Sequence, residues 1–349
     1  MLLPPRNWPM MLSSAPLTVT QDPAKSQDAA LLAQTSDACQ RLRQEVGRVI
    51  IGQDAVVDHL IIALLTQGHA LLVGVPGLAK TLLVASLSRA LDLSFGRVQF
   101  TPDLLPADIT GTDVLAEHEG RRELSFLPGP IFKNLVLADE INRTPPKTQA
   151  ALLQAMQERA VTIGGTTHPL PAPFQVFATR NPIEQEGTYA LPEAQLDRFM
   201  LEVHVEYPSE EEERKIARRT TSGNVPEVNR ALTADELRML QAFIPRVPVT
   251  EAAVELAVRL TRATRPHESA LAEVKNYVRF GSGPRGSQAL VLAAKARAAM
   301  RGEAAADVED VLFVALPALR HRLVLSYRAE VDGVKDADVV AAVAKQVRA

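Results

Sequence analysis

The sequence predicts an α/β fold: a three-layer parallel sheet covered by helices, joined to a second, smaller domain that is all helical. Three observations carry the prediction. Between about residues 36 and 207, short apolar runs alternate with helix-compatible stretches. A glycine-containing turn ending in Lys80-Thr81 separates one such run from a helical segment. Beyond about residue 229 the pattern is helical, with capping signals and no strand-like alternation.

Residues 1–35 are rich in Pro, Ser, Thr, Gln and Ala with little periodicity, and read as a flexible tail. The strand-like runs of the core (36–207) are residues 70–73, 97–100, 135–139 and 174–179. Residues 112–115 and 123–126 flank a polar stretch and predict a β-hairpin inserted over about 111–126. A charge-rich helix (209–219) and a Gly/Asn/Pro linker (222–227) occupy 208–228. In the last segment, 229–349, Thr233 and Glu236 form a capping box and Thr250 caps the next helix. Ser287 is expected to cap a helix ended by Gly302, and Asp307 opens a helix over 308–321.

The turn Gly74-Val75-Pro76-Gly77-Leu78-Ala79-Lys80-Thr81, followed by Leu82, has the layout of a phosphate-binding loop (P-loop). Backbone amides and the positive end of the following helix cradle phosphates, Lys80 reaches the β- and γ-phosphates of a nucleoside triphosphate, and the Thr81 hydroxyl ligates Mg²⁺. Ala79 stands where the general consensus has glycine, so the loop is a variant. Downstream, Asn134-Leu135-Val136-Leu137-Ala138-Asp139-Glu140 reads as a buried parallel strand ending in two carboxylates. At a strand's carboxyl end, Asp139 can hold the metal and Glu140 can act as general base on the attacking water. An Asp-Glu pair alone is a solvated strand end; paired with the loop it reads as catalytic.

The loop GVPGLAKT, the segment QFTPDLLPADITG (99–111), the block FLPGPIFKNLVLADEINRTPPKTQAALLQAMQER (126–159) and the run FATRNPIEQEGTYALPEAQLDRF (177–199) together resemble the MoxR-type AAA+ ATPases. The resemblance covers most of the chain from about residue 47. Ala79, which breaks the general loop consensus, is what this family's loop typically carries.

Further roles follow from the resemblance. Asn181 matches the sensor-1 position, which orients the water, against the alternative of a turn-forming Asn before Pro182. Arg198 matches an arginine finger that reaches a neighbouring subunit's site; such fingers contribute about 10³ to 10⁵ in rate. Its alternative is a surface arginine paired with Glu193 or Asp197, and Arg143 is the rival for the finger. Arg285 matches the sensor-2 position beside the γ-phosphate, or else is an exposed turn residue. Ile50, Ile51, Gly52 and Gln53 resemble the segment that sandwiches adenine, or serve as core residues. Arg180 has no assigned role. The hairpin tip (117–122) contacts a client or is simply solvated. The resemblance implies a homo-oligomeric ring, a hexamer, that uses ATP to remodel or mature a partner protein, in this family often one with a von Willebrand factor A domain.

Composition sets limits. The chain has 349 residues, 46% apolar and 23% charged, ordinary for a globular protein with two cores. The first residues, interrupted by Pro4, Pro5 and Pro9, do not form a signal peptide, and no run reaches the roughly 18 apolar residues of a membrane span. One cysteine, Cys39, excludes an internal disulfide, and a cytoplasmic location is expected. The His residues lack metal-ligand spacing. A net charge of −3 and 4% aromatics disfavour nucleic-acid binding. Two rival functions remain: a DNA-associated motor or loader on the same core, and a nucleotide-dependent switch without significant turnover.

Overall fold

The computed structural model describes residues 23–118, 121–183, 187–223 and 226–348. Among these the strands, in chain order, are β1 (Ala70–Val73), β2 (Phe95–Gln99), β3 (Gly111–His118), β4 (Arg121–Pro128), β5 (Leu135–Asp139), β6 (Ala160–Ile163), β7 (Thr166–Pro169), β8 (Gln175–Arg180), β9 (Leu201–His204), β10 (Val278–Phe280) and β11 (Val324–Leu325). Five of them build one parallel sheet in the order β2-β5-β8-β1-β9.

Burial follows position in that sheet. β1 and β5 are buried at every residue, because helices cover both faces and a central parallel strand has no solvent side. Side chains of β1, β5 and β8 alternate between two apolar clusters. Leu72, Leu135, Leu137 and Phe177 face one side. Leu71, Val136, Ala138 and Val176 face the other. β2 is an edge strand and alternates instead, with Val98 buried and Arg97 and Gln99 exposed.

The first cluster does not stop at the α/β part. It runs from Ala38, Leu60 and Leu201 into the helical domain through Leu240, Leu290, Leu319 and Val340. Core and lid therefore share one continuous apolar interior. The helices Ala234–Phe243, Glu251–Ala263 and Val308–Leu319 begin at Thr233, Thr250 and Asp307, each accepting a backbone N–H through its side chain.

Four features differ from the sequence reading or add to it. Residues 1–22 of the expected tail lie outside the described residues, but the rest of it is helical: helix Pro23–Gly47 carries half-buried Leu31 and Leu32 and fully buried Thr35 against the core. Its stripe of Leu31, Thr35, Ala38, Leu42 and Val46 has helical spacing that the polar composition hides. Ser287 does not cap its helix, which starts at Pro284 behind Gly283, so Arg285 lies in the first turn. Pro284 at N1 is pre-set for that start. The helical domain also contains the two-stranded β10–β11 pairing, too short to show alternation. Finally, the β6–β7 hairpin supports the inserted β3–β4 hairpin, with Phe126 stacked on His168 at 3.9 Å between ring centroids.

Candidate functional site

The loop after β1 leads into helix Lys80–Ala90. Ala79 takes the left-handed conformation, φ 55°, at the helix start. That geometry explains why such loops favour glycine, and a Cβ there costs about 1–2 kcal/mol. The Lys80 ammonium folds over the loop and donates to the Gly74 and Val75 carbonyls at 2.6 and 2.7 Å. Partial burial lowers its pKa, an effect opposed by the charges of Asp139 and Glu140.

Asp139 ends β5, directly beside the loop. Its Oδ1 accepts from the Thr179 hydroxyl at 2.7 Å and its Oδ2 lies 3.4 Å from the Thr81 hydroxyl. Thr179, buried on β8, also accepts the Glu140 backbone N–H at 2.8 Å, so one hydroxyl fixes both acidic residues. Glu140 itself is left-handed, φ 58°, which turns its side chain out of the strand. Its Oε2 accepts from Arg143 at 2.9 Å and from Gln99 at 3.0 Å. Arg143, the rival for the finger, is thus engaged with this chain's own candidate base.

Pro76, Gly77, Leu78, Ala79, Lys80, Thr81 and Leu82 line one cavity of 410 Å³ with Asp139, Glu140, Thr179 and Asn181. Asn181 is buried at the end of β8, its Oδ1 accepting from the Ile183 N–H at 3.1 Å. Thr81 and Asp139 offer oxygen ligands alone, the donor set that hard Mg²⁺ prefers, and so the residues fit that ion. A second cavity, of 270 Å³, adjoins the first along Gly77, Leu78, Ala79 and Leu82 and is closed by Ile50, Ile51, Gln53 and Ile216. Its apolar walls suit a flat base. Gly52 is not in its lining, but with φ 70° it shapes the turn, and Gln53 anchors that turn by donating to the Glu206 carbonyl at 2.8 Å.

Arg198 and Arg285 are elsewhere. Both line a separate cavity of 330 Å³ with Asp197 and Arg322, so neither joins the loop's cavity in its own subunit. For Arg285 this departs from the expected contact with its own γ-phosphate: it pairs with Asp197 at 3.3 Å, since its place in the first turn of helix Pro284–Arg301 turns it toward that carboxylate. Arg198 donates to the Leu153 carbonyl at 2.7 Å, and not to Glu193 or Asp197. Asp197 is also held by the buried Arg322 at 2.9 Å, which in addition donates to the Phe199 carbonyl at 2.8 Å. Arg180 lies 3.6 Å from buried Glu202, a carboxylate shared with His204 at 2.8 Å and Arg320 at 3.7 Å, at the seam between core and lid.

Sequence reasoning missed Thr179, Arg97, Gln99 and Arg322, and read Asp197 only as a partner for Arg198. Arg97 and Gln99 carry a readable signal, since period two along β2 puts both on one face. Arg322 carried none, because its partner lies 125 residues away.

Residues 69–201 match the ATPase family associated with various cellular activities (AAA), and residues 270–343 match the AAA lid domain. Over 297 residues the chain is 46% identical to Chaperone MoxR1 of Mycobacterium tuberculosis, covering 85% of this chain and 78% of that protein. It is 35% identical over 295 residues to Protein MoxR of Paracoccus denitrificans, covering 80% and 86%. The crystal structure of a "putative ATPase" from Cytophaga hutchinsonii matches with a TM-score of 0.85 at 40% identity, over 93% of this chain and 98% of that one. The loop, the acidic strand end and the helical lid are thus the parts of a shared architecture, and this chain belongs to the MoxR-type AAA+ ATPases.

Proposed function

We propose that this protein hydrolyses Mg²⁺-ATP at sites completed by a neighbouring copy, in a homo-oligomeric ring of six, and uses the cycle to remodel or mature a partner protein, such as one with a von Willebrand factor A domain. The observation that carries this reading is the convergence of Lys80, Thr81, Asp139, Glu140, Thr179 and Asn181 on a single cavity. Lys80 leaves its loop carbonyls to bind the β- and γ-phosphates, while the loop amides hold the remaining phosphate oxygens. Thr81 and Asp139 would hold Mg²⁺, which would supply charge neutralisation of the phosphates. Glu140 accepts the proton of the attacking water and Asn181 orients that water.

Arg198 supports a shared site by its separation from the loop cavity, because a finger that serves its own subunit would have to line it. Arg285 opens on the same cavity as Arg198, and so belongs to the surface offered to the neighbour. The inserted hairpin supports client contact: the cross-strand pair Leu115 and Leu124 is exposed, close to the tip, whose residues 119–120 lie outside the described set. The Mycobacterium tuberculosis relative is named a chaperone, which motivates a protein client here.

The test is ATP turnover against protein concentration, with light scattering for assembly. Specific activity should rise steeply as the protein assembles. Glu140→Gln should lower kcat by about 10² or more, and Arg198→Ala by about 10³. Flat specific activity that survives Arg198→Ala would refute the shared site, and turnover unaffected by Glu140→Gln would remove its catalytic base. Stimulation by DNA in place of protein clients would favour a nucleic-acid motor.

A further inference from the structure

We propose that Arg97 is a positioning residue of the metal site: its guanidinium acts as a built-in cation on Asp139 and must leave that carboxylate when a Mg²⁺-nucleotide enters. The inference rests on the Mg²⁺-ATP reading of the cavity.

The geometry is specific to one oxygen. Arg97 donates to Asp139 Oδ2 from both Nε, at 3.1 Å, and Nη2, at 2.7 Å. The other oxygen, Oδ1, is committed to the Thr179 hydroxyl. Oδ2 is also the oxygen nearest the Thr81 hydroxyl, at 3.4 Å. The guanidinium therefore occupies the one side of Asp139 that faces the loop's metal-ligating group. A divalent ion and a guanidinium on the same oxygen repel each other, so the two compete for it.

Exposure makes the exchange feasible. The Asp139 side chain is 11% exposed, so a carboxylate there without a cation would carry a heavy desolvation cost. Arg97 removes that cost in the absence of metal. Its own side chain is 49% exposed on an edge strand paired only to β5. When displaced it returns to solvent at little expense, and Gln99 Oε1, 2.8 Å from Nη2, remains as a partner. Gln99 in turn donates to Glu140, so one exposed face of β2 touches both members of the acidic pair. That strand leads through residues 100–110 into the inserted β3–β4 hairpin.

The experiment is a free-Mg²⁺ titration of fluorescent ATP-analogue binding to the full-length protein, for wild type, Arg97→Ala and Arg97→Gln. Removing a charge-assisted bond that competes with the ion should lower the Mg²⁺ midpoint by about tenfold in both variants, while nucleotide affinity in chelator stays within about twofold. A midpoint that is unchanged or raised in both variants would overturn the role given to Arg97. Failure of wild type to bind nucleotide at any Mg²⁺ concentration would instead overturn the Mg²⁺-ATP reading, and this inference with it.

Discussion

His69 shows how a single side chain is committed by its surroundings. It immediately precedes β1 and is buried, its Nδ1 accepting from the Val176 N–H at 2.9 Å and its Nε2 facing the Met156 carbonyl at 3.3 Å. That pair of partners requires the neutral Nε2–H tautomer. Burial, the dominant cause, pushes its pKa from 6.5 down to about 4. The sign follows. The unfolded chain takes up a proton below its usual value while the folded chain does not, so stability from His69 is complete above pH 6.5 and is lost as pH falls toward 4. At pH 5 the loss from this residue is about 2 kcal/mol. His321, buried with its Nε2 2.9 Å from the Phe199 carbonyl oxygen, is lowered by burial and then by Arg322, and acts in the same direction. Denaturant unfolding should therefore show a drop of at least about 2 kcal/mol between pH 7.5 and 5. The His69 ring signals in NMR should stay fixed from about pH 8 to 5.5, and a midpoint near the ordinary histidine value would sink the assignment.

At the scale of elements, legibility depended on whether a signal was local. The phosphate loop, the acidic end of β5 and the caps Thr233, Thr250 and Asp307 are local motifs in which neighbouring residues make the deciding contacts. They were readable. Helix Pro23–Gly47 was not read over its first half, because its apolar stripe is sparse there and its order comes from packing on distant residues: Ser36 donates to the Met300 carbonyl at 3.2 Å. Thr179 and Arg97 escaped for a related reason. Their roles arise only when parallel pairing sets β2, β5 and β8 side by side. Cys39 provides a test of this helix's seat. It is buried at the helix-core contact, and burial raises its thiol pKa to about 12 against the weaker opposing pull of Arg43. A thiol reagent at neutral pH should react with native protein at least about 10³-fold more slowly than with unfolded chain. Rapid labelling of the native protein would mean that the helix leaves the core on the experimental timescale.

On the scale of the whole molecule, the seam between core and lid is where the proposed ring chemistry is organised. The two share one apolar cluster, and Asp197, adjacent to Arg198, is gripped by the lid arginines Arg322 and Arg285. A lid displacement would thus reach the turn that carries Arg198, while Glu140 follows β5 in a different cavity. Base and finger are then separable between subunits, which permits a complementation test. Glu140→Gln protein lacks the base but keeps its finger, and Arg198→Ala protein lacks the finger but keeps its base. Each alone should be nearly inactive. In rings assembled from an equal mixture, a site with its base intact meets an intact finger at roughly a quarter of the interfaces, given random assembly around a cyclic ring. The mixture should recover roughly that fraction of wild-type turnover, since only those interfaces hold both parts. If Arg198 served its own subunit, no mixed interface would contain a complete site, and the mixture would remain as inactive as its components.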